Sequence, residues 1–119
     1  MLAQALKDAI FAADDLKKTE VDMTAFWGVK IWVRKMSGVD RDAFEQRAID
    51  LREGKRELTG LKAWLLTLLV VDEEGSRIFT DEEAIKLNQK SSAALEQIYG
   101  VIMKNNALGS EDIEEKIKN

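Results

Sequence analysis

The chain has 119 residues, 45% of them hydrophobic, which is enough for one domain whose core needs no disulfide or metal staple. It contains neither cysteine nor histidine, so disulfides, thiol nucleophiles and imidazole acid–base chemistry are excluded, and the usual zinc ligands are missing. The formal net charge of -4 favours solubility and argues against a nucleic-acid partner, because Lys17-Lys18 and Arg34-Lys35 are too small to form the basic face such binding needs.

Leu2, Ala5, Leu6, Ala9, Ile10 and Ala13 recur at helical spacing and predict a short N-terminal helix that closes at Asp14-Asp15. From Leu16 to Val21, and again from Val29 to Arg34, the period falls to two. Val29, Ile31 and Val33 share one side of the second segment, while Lys30, Trp32 and Arg34 share the other. Two strands joined through Asp22 to Gly28 make a hairpin. Ser37 with Asp40 has capping-box spacing, Asp substituting for Glu, and predicts a helix from about Val39 to Arg52 with Val39, Phe44, Ala48 and Leu51 turned to the core. Gly54 and Lys55-Arg56-Glu57 then break the pattern.

Leu61 to Val71 is the most apolar stretch. Laid out at 100° per residue, it puts Trp64, Leu68, Leu61 and Leu65 on one face and leaves a second apolar strip of Ala63, Leu66 and Val70 for another helix or another chain to cover. Asp72-Glu73-Glu74-Gly75 reads as an acidic turn, followed by extended Arg77-Ile78-Phe79. A capping box from Thr80 to Glu83 starts a helix, Asp81 to Leu87. Ser91 or Ser92 starts the next, with Ala94, Leu95, Ile98, Val101 and Ile102 as its buried stripe, and Ile113 to Lys118 forms a last short helix. No repeat, proline or low-complexity linker divides the chain. The expectation is a single domain over 1–119, α+β and mainly α, with an N-terminal helix and two-stranded β-hairpin over about 1–35 and a helical part over about 37–119.

Catalysis finds little support in these residues. The carboxylates Asp72, Glu73, Glu74, Asp81, Glu82 and Glu83 lack the spacing of an EF-hand loop, so a solvated turn and a helix N-terminus explain them better than a hard-cation site. Ser91 beside Lys90 is no nucleophile–base pair, because adjacent helix residues point apart. No carboxylate pair stands out for hydrolysis. The expectation is a protein that is not an enzyme and needs no cofactor or metal. Aromatic residues carry more information: Phe26 and Trp27 lie in the hairpin connection, and Trp32 sits on the polar side of its strand, where either a later helix or a partner must cover it. Phe26, Trp27, Trp32, Ala63, Leu66 and Val70 are the candidate surface for self-association or a partner. No apolar run approaches the roughly 20 residues that span a bilayer, and Met1 to Lys7 lacks the pattern of a secretory signal, which favours the cytoplasm without membrane or nucleic-acid contact.

The stretch Ala5-Leu6-Lys7-Asp8-Ala9-Ile10-Phe11-Ala12-Ala13-Asp14-Asp15-Leu16, then Trp27-Gly28-Val29-Lys30-Ile31-Trp32-Val33-Arg34 leading into Met36-Ser37-Gly38, resembles the tail assembly chaperones of long non-contractile-tailed bacteriophages. Val71-Asp72-Glu73-Glu74-Gly75-Ser76-Arg77-Ile78-Phe79-Thr80 and Lys90-Ser91-Ser92-Ala93-Ala94-Leu95 are similar to the same family, in order and over most of the chain. One departure is the hairpin connection, which has Thr24-Ala25-Phe26 where the family pattern has a proline and an acidic residue before the tryptophan. The resemblance implies a homo-oligomeric late protein of the host cytoplasm that coats the tape measure protein. It would keep that protein soluble and extended, and give way as the tail tube protein polymerises. A frameshifted longer form of the same chain is implied as a further partner. The rival reading is a small acidic phage adaptor or regulator that binds a host protein.

Overall fold

The computed structural model describes residues 2–54 and 60–107, so the break at Lys55-Arg56-Glu57 and the last helix expected at Ile113 to Lys118 lie outside the described residues. Six helices and three strands follow in the order α1 (Ala3–Ala12), β1 (Lys18–Met23), α2 (Thr24–Trp27), β2 (Val29–Arg34), α3 (Gly38–Arg52), α4 (Leu61–Leu69), β3 (Val70–Val71), α5 (Ala84–Leu87) and α6 (Ser92–Asn105), with a 3₁₀ turn at Asp81–Glu83 before α5. The fold is mixed and mainly helical, as the periodicities require. Its sheet is antiparallel and has three strands, β1-β2-β3, rather than the two expected.

Alternation fixes the sheet's two faces, because residues paired across antiparallel strands point to the same side. The pairs Val21↔Ile31 and Met23↔Val29, with Thr19↔Val33, form the inner face, on which Val21, Met23, Ile31 and Val33 are buried. Helix α6, on which Ala94, Leu95, Ile98, Tyr99, Ile102 and Met103 are buried, packs on β1 and β2 and on α4. Two side chains of α6 fix its position along β1: Gln97 Nε2 donates to the Asp22 carbonyl at 3.2 Å, and Asn105 Nδ2 donates to Thr19 Oγ1 at 2.9 Å. Asn106, just past the helix, accepts from the Met36 N–H at 2.9 Å and donates back to the Ile102 carbonyl at 2.8 Å. Burial pushes the Tyr99 hydroxyl pKa up to about 12, with the Glu96 charge adding to it.

Helix α4 is apolar nearly all round, and such a helix belongs at the centre of a core. Helices α3, α5 and α6 and the 3₁₀ turn pack around it, leaving Ala63, Leu65, Leu66, Thr67 and Leu69 fully buried. Of the two covers expected for the second strip, another helix or another chain, the fold supplies its own elements, so Ala63, Leu66 and Val70 are core residues and not a partner surface. Of the face expected to be core, Leu65 is fully buried, while Leu61, Trp64 and Leu68 are only partly covered. Val70 is not on the helix at all, because the chain turns extended there and pairs Val70 and Val71 with Val33 and Trp32 of β2. Val39 is likewise not core but 80% exposed, whereas Phe44, Ala48 and Leu51 of the same helix are buried.

Two arginines close the end of α4. The last carbonyls of a helix have no intrahelical donor and carry partial negative charge, which cations satisfy. Arg77 donates through Nε at 3.0 Å and Nη2 at 2.8 Å to the Thr67 carbonyl, and Nη2 also reaches Asp81 at 2.8 Å. From the other side, Arg34 of β2 donates through Nη2 to the Leu68 carbonyl at 3.2 Å and through Nη1 to Asp40 at 2.5 Å. Asp40 simultaneously accepts from the Ser37 N–H at 2.9 Å, completing the capping box that starts α3. Burial raises the Asp40 pKa, but hydrogen bonds from Arg34 and Ser37 and the arginine charge outweigh it and hold the carboxyl below its usual 3.8.

Two measurements check this packing. Leu66→Ala is expected to destabilise the protein by about 2–5 kcal/mol, as cavity-forming core substitutions do. Leu6→Ala in α1, where no residue is buried, should stay within about 0.5 kcal/mol in the same urea titration. Because the folded pKa of Asp40 is depressed, its contribution is fully present above the unfolded value and is lost as pH falls through the folded one. The Asp40→Asn protein should therefore begin with a lower urea midpoint at neutral pH and lose less on acidification; equal acid losses would refute the assignment.

Candidate partner-binding surfaces

Helix α1 stands apart from the body of the molecule. None of its residues is buried, its N-cap residue Leu2 provides no side-chain hydrogen bond, and no acidic residue occupies the first turn. Its 10 residues fall short of the roughly 12–15 that make even a good isolated helix marginal in water. At 100° per residue, Leu2, Leu6 and Ile10 line one stripe flanked by Ala5, Ala9 and Ala13, and the opposite side carries Gln4 and Asp8, joined by a 2.8 Å hydrogen bond. Leu2 is 69%, Leu6 55% and Ile10 67% exposed, and Phe11 on the polar side is 81% exposed. Full burial of each such side chain is worth about 1.5–3 kcal/mol, so this stripe is a large unmet driving force.

A second surface lies at the hairpin connection. Asp22 accepts from both the backbone N–H of Thr24, at 2.9 Å, and the Thr24 hydroxyl, and so starts α2 in the manner of an Asx turn. These hydrogen bonds lower the Asp22 pKa. Gly28 ends the turn at φ +71°, a left-handed conformation that glycine adopts without strain. The turn leaves Phe26 43% and Val29 50% exposed at one end of the β1–β2 pair, while Trp27 is half-buried against the core. Trp32 is half-buried on the outer face of the sheet, where it pairs with Glu20 of β1 and Val71 of β3. Charges surround it: Lys18 opposite Arg34, Asp22 opposite Lys30, and the Lys30–Glu20 ion pair at 3.9 Å.

Of the six residues that the sequence nominated, Phe26 reaches the surface, Trp27 and Trp32 do so in part, and Ala63, Leu66 and Val70 do not. The α1 stripe was not among the nominees. The signal for it was available in the i, i+4, i+8 spacing of Leu2, Leu6 and Ile10 and in the polar run Asp14-Asp15-Leu16-Lys17-Lys18 that follows.

Of the acidic residues considered for metal binding, Asp72 and Glu83 serve the backbone and Asp81 a guanidinium. Asp72 Oδ1 accepts from the Glu74 and Ser76 N–H groups at 2.9 and 3.0 Å, Glu83 Oε1 accepts from the Thr80 N–H at 2.8 Å, and Asp81 pairs with Arg77. Ser91 accepts from the Ala94 N–H as the N-cap of α6. Among the described residues, no group of three or more carboxylate, imidazole or thiol side chains is placed to hold a metal ion, and no helix is long and apolar enough to cross a membrane.

Neither a protein-family model nor a curated protein sequence matches the chain. Its fold is similar to that of the bacteriophage HK97 tail assembly chaperone, with a TM-score of 0.53 and 17% sequence identity over 87% of this chain and 91% of that one.

Proposed function

We propose that this chain is a phage tail assembly chaperone that binds the tape measure protein and holds it soluble and extended while the tail tube forms. The observation that carries the reading is the likeness in fold to the HK97 chaperone, which runs along nearly the whole of both chains. The surface supports it. A chaperone for a long helical client needs exposed apolar side chains, spread over separate patches and set among charges that keep the complex in solution. Phe26 and Val29 at the hairpin connection meet that description, and half-buried Trp32 on the sheet's outer face does so in part. Aromatic residues of this kind dominate binding energy where they become fully desolvated.

In this scheme the client's apolar helix faces pack on Phe26 and Trp32, and the charges around Trp32 form a polar rim. Release needs no chemistry: polymerising tail tube protein displaces the chaperone by competing for the same client surface. The protein is then non-enzymatic, acts in the host cytoplasm and works in several copies, alongside a frameshifted longer form where one is made.

Co-expression with the tape measure protein of the same phage, followed by affinity capture, tests the reading. A soluble multi-copy complex is expected, and the pair Phe26→Glu and Trp32→Ala should cut the captured tape measure protein about tenfold, the loss that 1.4 kcal/mol produces. A tape measure protein that stays insoluble while this chain elutes alone would refute it.

A further inference from the structure

We infer that the acidic run Glu111, Asp112, Glu114 and Glu115 of this chain lies against a lysine patch at the open end of the β1–β2 pair, so that the molecule covers its own surface for carboxylate-rich segments. The two basic doublets of the sequence, each too small alone, are brought side by side by the strand register. Lys18 stands opposite Arg34, and the Lys35 N–H donates to the Lys17 carbonyl at 3.0 Å. Helix α6 ends at the same place: Asn105 reaches Thr19, Asn106 accepts from the Met36 N–H, and Lys104 adds a further cation.

Part of this charge is already used. Arg34 is taken up by Asp40 and the Leu68 carbonyl, and Lys17 pairs with Asp14 at 3.7 Å. With Asp15 counted against Lys18, Lys35 and Lys104 are left over. Both are exposed, and neither makes an ion pair among the described residues. Helix-end carbonyls claim nearby cations when they lack donors. Those of α6 have their own: Asn106 donates through its N–H and Nδ2 to the Ile102 carbonyl, and the Ala107 N–H donates to the Lys104 carbonyl.

The occupant follows from where the described chain stops. Ala107 adopts φ +54°, the left-handed turn that ends a helix and takes the chain off its axis. Beyond it the sequence carries Glu111, Asp112, Glu114 and Glu115 before its next cation, Lys116. At roughly 3.3–3.6 Å per residue, Glu111 lies at most about 14 Å from Ala107, within reach of Lys104 and of Lys35 beside the anchored Met36. A tether this short gives an effective concentration in the millimolar range, which a free acidic segment has to exceed. A partner with a longer run of carboxylates opens the patch by competition. The contact belongs to the chain by itself, whether or not a tape measure protein is its client.

Fluorescently labelled hexaglutamate is the probe, and the full chain carrying Glu111→Gln, Asp112→Asn, Glu114→Gln and Glu115→Gln is the variant. At low salt the variant is expected to bind the peptide at least tenfold more tightly than the parent, and adding Lys35→Gln/Lys104→Gln should abolish the gain. Both lysines are exposed, so circular dichroism and melting should not change with them. A control with Asp42→Asn, Glu73→Gln, Glu74→Gln and Glu82→Gln, all exposed, removes as much charge elsewhere and should gain less than twofold. Zero-length carbodiimide coupling of the parent gives a second readout. Cross-links from Lys35 to the acidic run should outnumber those from Lys35 to Glu73, Glu74 and Glu82 several-fold, be independent of protein concentration, and fall in about 0.5 M salt as screening requires. Equal affinity of parent and variant, a gain shared by the control or surviving the lysine changes, no hexaglutamate binding by the variant, or cross-links scattered over the exposed carboxylates would each overturn the inference. A variant that binds a DNA duplex and not hexaglutamate would overturn it too, and would assign the patch to nucleic acid.

Discussion

Everything in the body of this protein turns on how α4 ends. A run of eleven residues from Leu61 to Val71 is apolar enough to continue as a helix, yet the chain leaves the helix after Leu69 and enters the sheet at Val70. The exit is stabilised by two guanidinium groups on adjacent carbonyls, Arg77 on Thr67 and Arg34 on Leu68. One comes from the segment after the helix and the other from a strand far earlier in the chain. Arg34 also binds Asp40, whose carboxylate caps α3, so a single side chain joins the sheet, the end of one helix and the start of another. Buried charge of this sort is strongly coupled, and removing one member leaves the others without their partners.

That dependence explains which parts of the fold were legible in the sequence. The capping boxes at Ser37–Asp40 and Thr80–Glu83 occur as read, because each is closed by hydrogen bonds within four residues. Alternation placed β2 to the residue and β1 two residues early, since Leu16 continues the apolar pattern but remains 38% exposed outside the strand. The third strand was illegible. Its two residues are distinguished from helix only by long-range pairing with Trp32 and Val33 and by the arginines that end α4. The same gap misplaced the candidate surface. A wheel drawn through Leu61 to Val71 cannot show that α3, α5 and α6 surround the helix, and so it leaves open whether another helix or another chain covers Leu66, which the fold buries completely.

Helix α1 is the converse case. Its periodicity predicted the element correctly, while the fate of its apolar side depended on tertiary structure. Short amphipathic helices draw most of their stability from packing. A segment that keeps helical form with Leu6, Ile10 and Phe11 all exposed carries apolar surface that the described residues do not cover, and the hairpin connection with Phe26 carries a second such patch. A net charge of -4 favours solubility for such a surface, and the absence of cysteine and histidine removes thiol redox and imidazole proton switches from its control.

The three tryptophans occupy three different environments: Trp27 leans on the core at the hairpin connection, Trp32 lies half-buried on the outer face of the sheet, and Trp64 of α4 sits under the Arg47 guanidinium 4.6 Å from its ring. None belongs to α1. Intrinsic emission therefore reports on the turn, the sheet and the central helix together but is blind to the N-terminal arm, whereas far-ultraviolet ellipticity sums over all of them. The two signals will diverge wherever that arm melts, folds or finds its seat independently of the rest, which gives the protein a built-in optical separation between its body and its handle.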